Sequence, residues 1–225
     1  MIQLSIRTRL ILAFLGVVLL SLSGITLVVA ISNTRGTQQE NERQLSTVAS
    51  YKGQSVREWT NSLSAELATV LVGENIIPNI QAVLNPDSTE DARTAAANRS
   101  RLRTRLVNLL VQSQNYDEFM LLDQSGRVVV ATARPREGSD FSARQFFLEG
   151  QKDAYISTPE YSRGEGLTLL FASYPIQTAG GQLVGVLAGR AKTARLDTLF
   201  NDQTGFREPG QTYLAGLDGQ VIAGP

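Results

Sequence analysis

Neither cysteine nor histidine occurs anywhere in the 225 residues. Without cysteine the chain has no disulfide, no thiol nucleophile and no thiolate metal ligand. Without histidine it has no imidazole base, no histidine-ligated zinc and no histidine phosphoacceptor. A Ser-His-Asp arrangement is therefore excluded. Paired carboxylates are the remaining common hydrolytic chemistry, and no acidic pair stands out. Net charge is lacking too: 21 Lys and Arg balance 21 Asp and Glu, so nothing argues for nucleic-acid binding. The Gly164–Gly166 stretch "GEG" has no Walker or G-x-G-x-x-G surroundings and is not a nucleotide loop. These absences imply that the chain is not an enzyme and needs neither cofactor nor metal.

What is present begins with a long apolar run. After Arg7 and Arg9 comes "LILAFLGVVLLSLSGITLVVAI", residues 10–31, with no charged side chain. At about 1.5 Å per residue it would reach about 33 Å, enough for the hydrocarbon core. A secretory signal has a shorter apolar region, although "VVAIS" offers a cleavage site after Ala30. The preceding arginines predict a cytoplasmic N-terminus, residues 1–9, and an extracytoplasmic remainder. The expected location is the inner (plasma) membrane.

Residues 33–115 read as helical. Val48, Val56, Trp59, Leu63, Leu67 and Val70 recur every three or four positions, interrupted only by Gly36 and Gly53. The pattern predicts a long amphipathic helix whose stripe faces either its own sheet or the same helix of a second chain, as a homodimer. A break is expected at Pro78 and Pro86, then a second helix capped near Thr89 and Glu90, with Leu102, Leu106, Leu109 and Leu110 inward. Arg99, Arg101, Arg103 and Arg105 alternate along it and read as a solvated face.

The character changes at Tyr116. "EFMLLDQSGRVVVAT" predicts two strands about a turn at Asp123–Gly126. A Phe-rich short helix follows, then "DAYISTPEYS", "LTLLFASYPIQ" and "QLVGVLAGRA" as three strands with turns at "RGEG" and "TAGGQ". Residues 116–193 thus form an α+β sheet domain. A connecting helix and loop occupy residues 194–209. The tail "YLAGLDGQVIAG" echoes "MLLDQSGRVVVA" when Gly219 is aligned with Gly126, so residues 210–225 read as the truncated start of a second such domain.

This layout resembles the double Cache (PAS-like) sensor domain of bacterial transmembrane receptors. The likeness is carried by "YDEFMLLDQSGRVVVAT", "GSDFSARQFFLEGQKDAYISTPEYS", "LFASYPI", "GQLVGVLAGRA" and "GQTYLAGLDGQVIAGP". The resemblance implies an extracytoplasmic module whose membrane-distal sheet domain binds a signal. A second transmembrane helix would then lead to a kinase, a cyclase or a methyl-accepting output. In the amino-acid-sensing branch an arginine, one intervening residue, then tryptophan and tyrosine line the pocket, with an aspartate on the last strand. Arg144 matches the arginine, Phe146 and Phe147 replace the aromatic pair, and Arg190 stands in the aspartate's place. An ammonium group would meet a cation there, which argues against an α-amino acid.

The residues by themselves give a compatible reading. A guanidinium fork fits a carboxylate bidentately and is costly to bury without one. If Arg144 and Arg190 converge, a carboxylate-type anion is the expected ligand. Phe146, Phe147, Tyr155 and Phe171 would wall it, and Ser173 would offer a hydroxyl. The competing reading pairs Arg144 with Asp140 one turn earlier, places Phe146 and Phe147 in the core, and makes the domain a structural or partner-docking module.

Overall fold

The computed structural model describes residues 42–73, 75–85, 91–202, 211–216, 219 and 221–224. The chain divides into two compact units. Residues 42–51, the described part of the first, are helical. The expected membrane span at 10–31 lies outside the described residues, among which no helix is long and apolar enough to cross a membrane.

The second unit, from Lys52 onward, carries the sheet. Its first helix, α1 (52–70), turns Trp59, Leu63, Leu67 and Val70 onto one face, as their spacing of three and four requires. That face is buried in a core with Tyr116, Phe119, Leu121, Ala172, Ile176 and Leu187 of the sheet. The stripe from Trp59 onward therefore packs on the chain's own sheet.

α2 (Ile76–Leu84) and α3 (Ala92–Gln112) add Ile80, Val83, Leu102 and Leu106 to the same core. The break before α2 falls earlier than the prolines suggested. Gly73 and Asn75 take positive φ, while Pro78 sits in the first turn of α2, where its missing N–H would have no helical partner anyway. Pro86, Thr89 and Glu90 lie outside the described residues. The arginine row on α3 is not uniformly solvated either. Arg103 folds down onto Glu137, with N–O distances of 2.6, 2.8 and 2.9 Å, and its side chain is only 15% exposed.

The main sheet is antiparallel and five-stranded, in the order β2-β1-β7-β6-β3. These strands are β1 (Tyr116–Leu122), β2 (Val128–Ala131), β3 (Tyr155–Ile156), β6 (Phe171–Gln177) and β7 (Leu183–Ala191). Between β2 and β3 lie a single 3-10 turn, Arg134–Arg136, and the short helix α4 (Gln145–Gly150). Gly189 shows how tightly α1 and the sheet approach: a Cβ there would stand 3.3 Å from Leu67 Cδ2 of α1, and 2.5 Å from the Tyr116 ring of β1. Tyr116 also donates its hydroxyl to the Leu63 carbonyl at 2.7 Å, and burial pushes its phenol pKa up.

The segment expected as the first of three strands is two elements. β3 ends at Ile156, and after Pro159 the chain leaves the sheet to form β4 (Glu160–Ser162). Among the described residues β4 pairs only with β5 (Leu167–Leu169), giving a separate hairpin over the "RGEG" turn. Beyond β7, α5 (Ala194–Asn201) packs Leu196 and Phe200 into the helix-side core. In the tail, β8 (Leu214–Ala215) pairs antiparallel with β9 (Val221–Ala223), as the internal echo predicted.

Candidate ligand site on the sheet

Strand alternation sends the two faces of the sheet to different neighbours. One face meets α1, α2 and α5. On the other, Met120, Leu122, Val128, Phe146, Phe147, Leu169, Phe171, Val186 and Ala188 form a second apolar cluster, with Phe141 and Tyr155 packed against it. α4 rides on this face. Its Phe146 ring stacks on Phe171 with centroids 4.7 Å apart, and Phe141 meets Phe146 edge-on at 5.6 Å. Such offset and edge geometries suit the ring quadrupoles. Gly150 lets α4 come this close, because a Cβ there would stand 2.3 Å from Ser173 Oγ.

All seven residues named from the sequence belong to this face or its rim. Phe146, Phe147, Phe171 and Ser173 are buried. Ser173 spends its hydroxyl on the Phe146 carbonyl at 2.7 Å, so it anchors α4 to β6. Tyr155 faces Ser173 across β3 and β6. Arg144 stands at the cap of α4 beside a cavity of about 50 Å³ lined by Phe146, Ser157, Thr158, Glu160, Leu169 and Phe171. Its partner is not Asp140. Asp140 accepts from the Ser142 backbone N–H at 2.8 Å, and that bond holds its carboxyl below the usual range. Arg144 instead pairs with Glu160 of the hairpin, Nη2 to Oε2 at 2.8 Å.

Arg190 is reached through Phe171, its direct cross-strand partner on β6, while Glu118 on β1 is its partner on the other side. Phe171 thus flanks both arginines. Around Arg190 stands a cluster that sequence reasoning did not name. Arg190 Nε contacts Asp117 Oδ1 at 2.7 Å and Glu118 Oε2 at 3.7 Å, and Nη1 contacts Glu165 Oε2 at 2.9 Å. Arg136 completes it, touching Glu118 Oε2 at 3.6 Å and pairing closely with Glu165 Oε1. Glu165 sits in the turn of the β4–β5 hairpin. A hydrogen bond from Arg136 lowers its carboxyl pKa against some burial, helped by the charge of Arg190.

Glu118 is the buried member. Among the described residues its Oε1 has no hydrogen-bond partner, and desolvation raises its pKa even though Arg136 and Arg190 pull the other way. Its position in "YDEFMLL" was the available signal: beside the exposed Asp117, Glu118 falls at a buried register among apolar residues, and an acid there needs a cation nearby. Among the described residues no group of acidic side chains is arranged to hold a metal ion.

No family model matches the sequence, and no curated protein does. Solved structures do. The ligand-binding domain of the Campylobacter jejuni chemoreceptor Tlp3, in complex with 4-methylisoleucine, superposes with a TM-score of 0.55 at 13% identity, covering 79% of this chain and 66% of that one. The Tlp3 sensory domain alone gives a TM-score of 0.57 at 13% identity, covering 79% and 68%. The sensor domain of the V. cholerae histidine kinase DctB gives 0.52 at 14% identity, covering 74% and 60%. The fold is the one that these solved domains share. It agrees with the Cache-type likeness read from the sequence motifs. The present chain spans about two thirds or less of the first two sensor domains found by these comparisons, the Tlp3 complex and DctB. The sheet presents an arginine-rich, Phe-lined face opposite the side that packs on α1.

Proposed function

We propose that the chain is the extracytoplasmic sensing region of a membrane-bound signal-transduction receptor. The face of the sheet beneath α4 and the β4–β5 hairpin receives a small organic carboxylate. The observation that carries this reading is the pair of guanidiniums, Arg144 and Arg190, on either side of Phe171. Both already hold carboxylates of the chain itself, which is the partner chemistry they select. Phe146, Phe147 and Tyr155 supply apolar walls, and Arg136 joins the anion-binding set. In this reading residues 10–31 span the inner membrane, residues 116–193 are the membrane-distal module, and the tail opens a second one. A homodimer through the long helix and an output domain outside this chain complete the receptor.

A second reading has one observation in its favour. The cavity beside Arg144 is about 50 Å³, well below the roughly 300 Å³ at which small-molecule pockets begin. A domain that docks a partner rather than a small molecule would look the same.

A thermal-shift screen of the full chain in detergent, against organic acids, amino acids and amines, separates the two. A carboxylate ligand at a hundred times its Kd should add about 2.7 kcal/mol of stability. Arg144→Ala should abolish that shift while costing the fold at most about 1 kcal/mol, because its ion pair is exposed. A response to amines alone would sink the carboxylate reading.

A further inference from the structure

The two arginines singled out from the sequence are held by the same piece of chain. Arg144 is paired with Glu160, at the start of β4. Arg190 is paired with Glu165, in the turn between β4 and β5, and Glu165 also closes on Arg136. Among the described residues that hairpin hydrogen-bonds as a sheet only to itself. Its other polar tie among the described residues is the Thr193 hydroxyl on the Thr168 carbonyl, at 3.4 Å. Leu169 is tucked into the apolar cluster, whereas Tyr161 and Leu167 are exposed. Glutamate placement, not packing, therefore holds its outer half down.

From this we infer that the β4–β5 hairpin is a self-ligating strap. Glu160 and Glu165 occupy the guanidiniums that an incoming carboxylate takes, so ligand binding and release of the hairpin are one exchange. The inference rests on the carboxylate reading above and adds how that site is regulated. Charge favours such an exchange. Arg136 and Arg190 face three carboxylates, Asp117, Glu118 and Glu165, of which Asp117 and Glu118 belong to β1 of the main sheet. Only Glu165 comes from an element that can leave. Replacing its carboxylate by one from a ligand keeps the charge balance, and the vacated guanidinium face is not left bare. The small cavity beside Arg144 fits the same picture, since Glu160 is one of its walls. A ligand can move the hairpin only by as much as it prefers the released state.

Hydrogen–deuterium exchange on the full chain in detergent tests the strap, comparing wild type with Glu160→Gln, Glu165→Gln and the double variant. Three exposed or half-exposed ion pairs are lost, Arg144–Glu160, Arg136–Glu165 and Arg190–Glu165, so backbone amides of residues 160–169 should exchange roughly fivefold faster in the double variant, with β1, β6 and β7 unchanged. Equal exchange in that segment overturns the strap. Succinate, as probe, should raise exchange in the wild-type hairpin and bind more tightly to the double variant by a similar factor. Added protection of the wild-type hairpin, or equal affinity for both proteins, overturns the competition. If succinate leaves both proteins unaffected, the exchange is wrong for this probe, while the wider screen of acids decides the sensor reading separately.

Discussion

Glu118 carries a buried carboxylate on β1, with one oxygen near two guanidiniums and the other without a hydrogen-bond partner among the described residues. Desolvation dominates, so its pKa lies above the ordinary glutamate range despite Arg136 and Arg190. The folded chain consequently holds this proton more firmly than the unfolded chain. The stability so contributed is complete below the unfolded value and is lost as pH rises through the raised folded value. Glu118→Gln removes that loss. We expect the stability of wild type to fall relative to the variant as pH rises above the ordinary glutamate range, read as the difference between two urea-unfolding series. Glu165 has the opposite sign: its lowered pKa means that the hairpin ion pairs weaken as pH drops below that range. A wild-type curve that instead gained on Glu118→Gln with rising pH would show that the guanidiniums, not burial, govern this carboxylate.

At the scale of elements, the end of α5 depends on a side chain from α1. Lys52 is buried, and its ammonium donates to the Leu199 carbonyl at 2.5 Å and the Asp202 carbonyl at 2.7 Å, with Asp202 Oδ2 at 3.7 Å. The last carbonyls of a helix have no partner within it, and a cation there also complements the helix dipole. Lys52→Met keeps the stem but leaves those carbonyls dry. It should cost about 1–3 kcal/mol and speed amide exchange through α5 before it affects the sheet. Exchange in α5 equal to wild type would mean that water replaces the ammonium at no cost. Periodicity made the helices legible: Trp59, Leu63, Leu67 and Val70 announced α1, and the "DQSG" and "TAGGQ" turns marked the strand ends. The hairpin was not legible in that way. "DAYISTPEYS" carries the strand formers Tyr155, Ile156, Thr158 and Tyr161 as one strand would, and only Pro159, which has no N–H to give a ladder, hints that the chain leaves the sheet. Arg144 stood out as a charge among phenylalanines, but its partner, Glu160, is sixteen positions away and Asp117 is seventy-three from Arg190. Local spacing favoured Asp140 for Arg144 because i, i+4 pairs are what a sequence displays. The tertiary fold spent Asp140 on a turn instead.

At the scale of the second unit, one sheet serves two purposes on its two faces. α1, α2 and α5 pack against one face in a single apolar core. The arginines and the Phe cluster stand on the other. A strand with a side chain removed from the helix face loses packing there, but its alternate residues keep their positions on the arginine face. Leu67 is fully buried in the helix-side core, so Leu67→Ala should cost about 2–5 kcal/mol through lost transfer energy and a cavity. Arg144→Ala on the opposite face should cost at most about 1 kcal/mol. The two side chains share no partner, so their effects should add within about 0.5 kcal/mol. The single tryptophan, Trp59, is buried in the core that Leu67 helps to form, which makes its fluorescence the direct readout of urea unfolding. If the sheet transmits strain between its faces, the double variant will depart from the sum by more than that margin. The arginine face would then be coupled to α1 through the strands themselves, and a carboxylate bound at Arg144, as proposed above, would be felt directly in that helix. Additive behaviour would leave that signal to the hairpin and to the Lys52 clamp on α5.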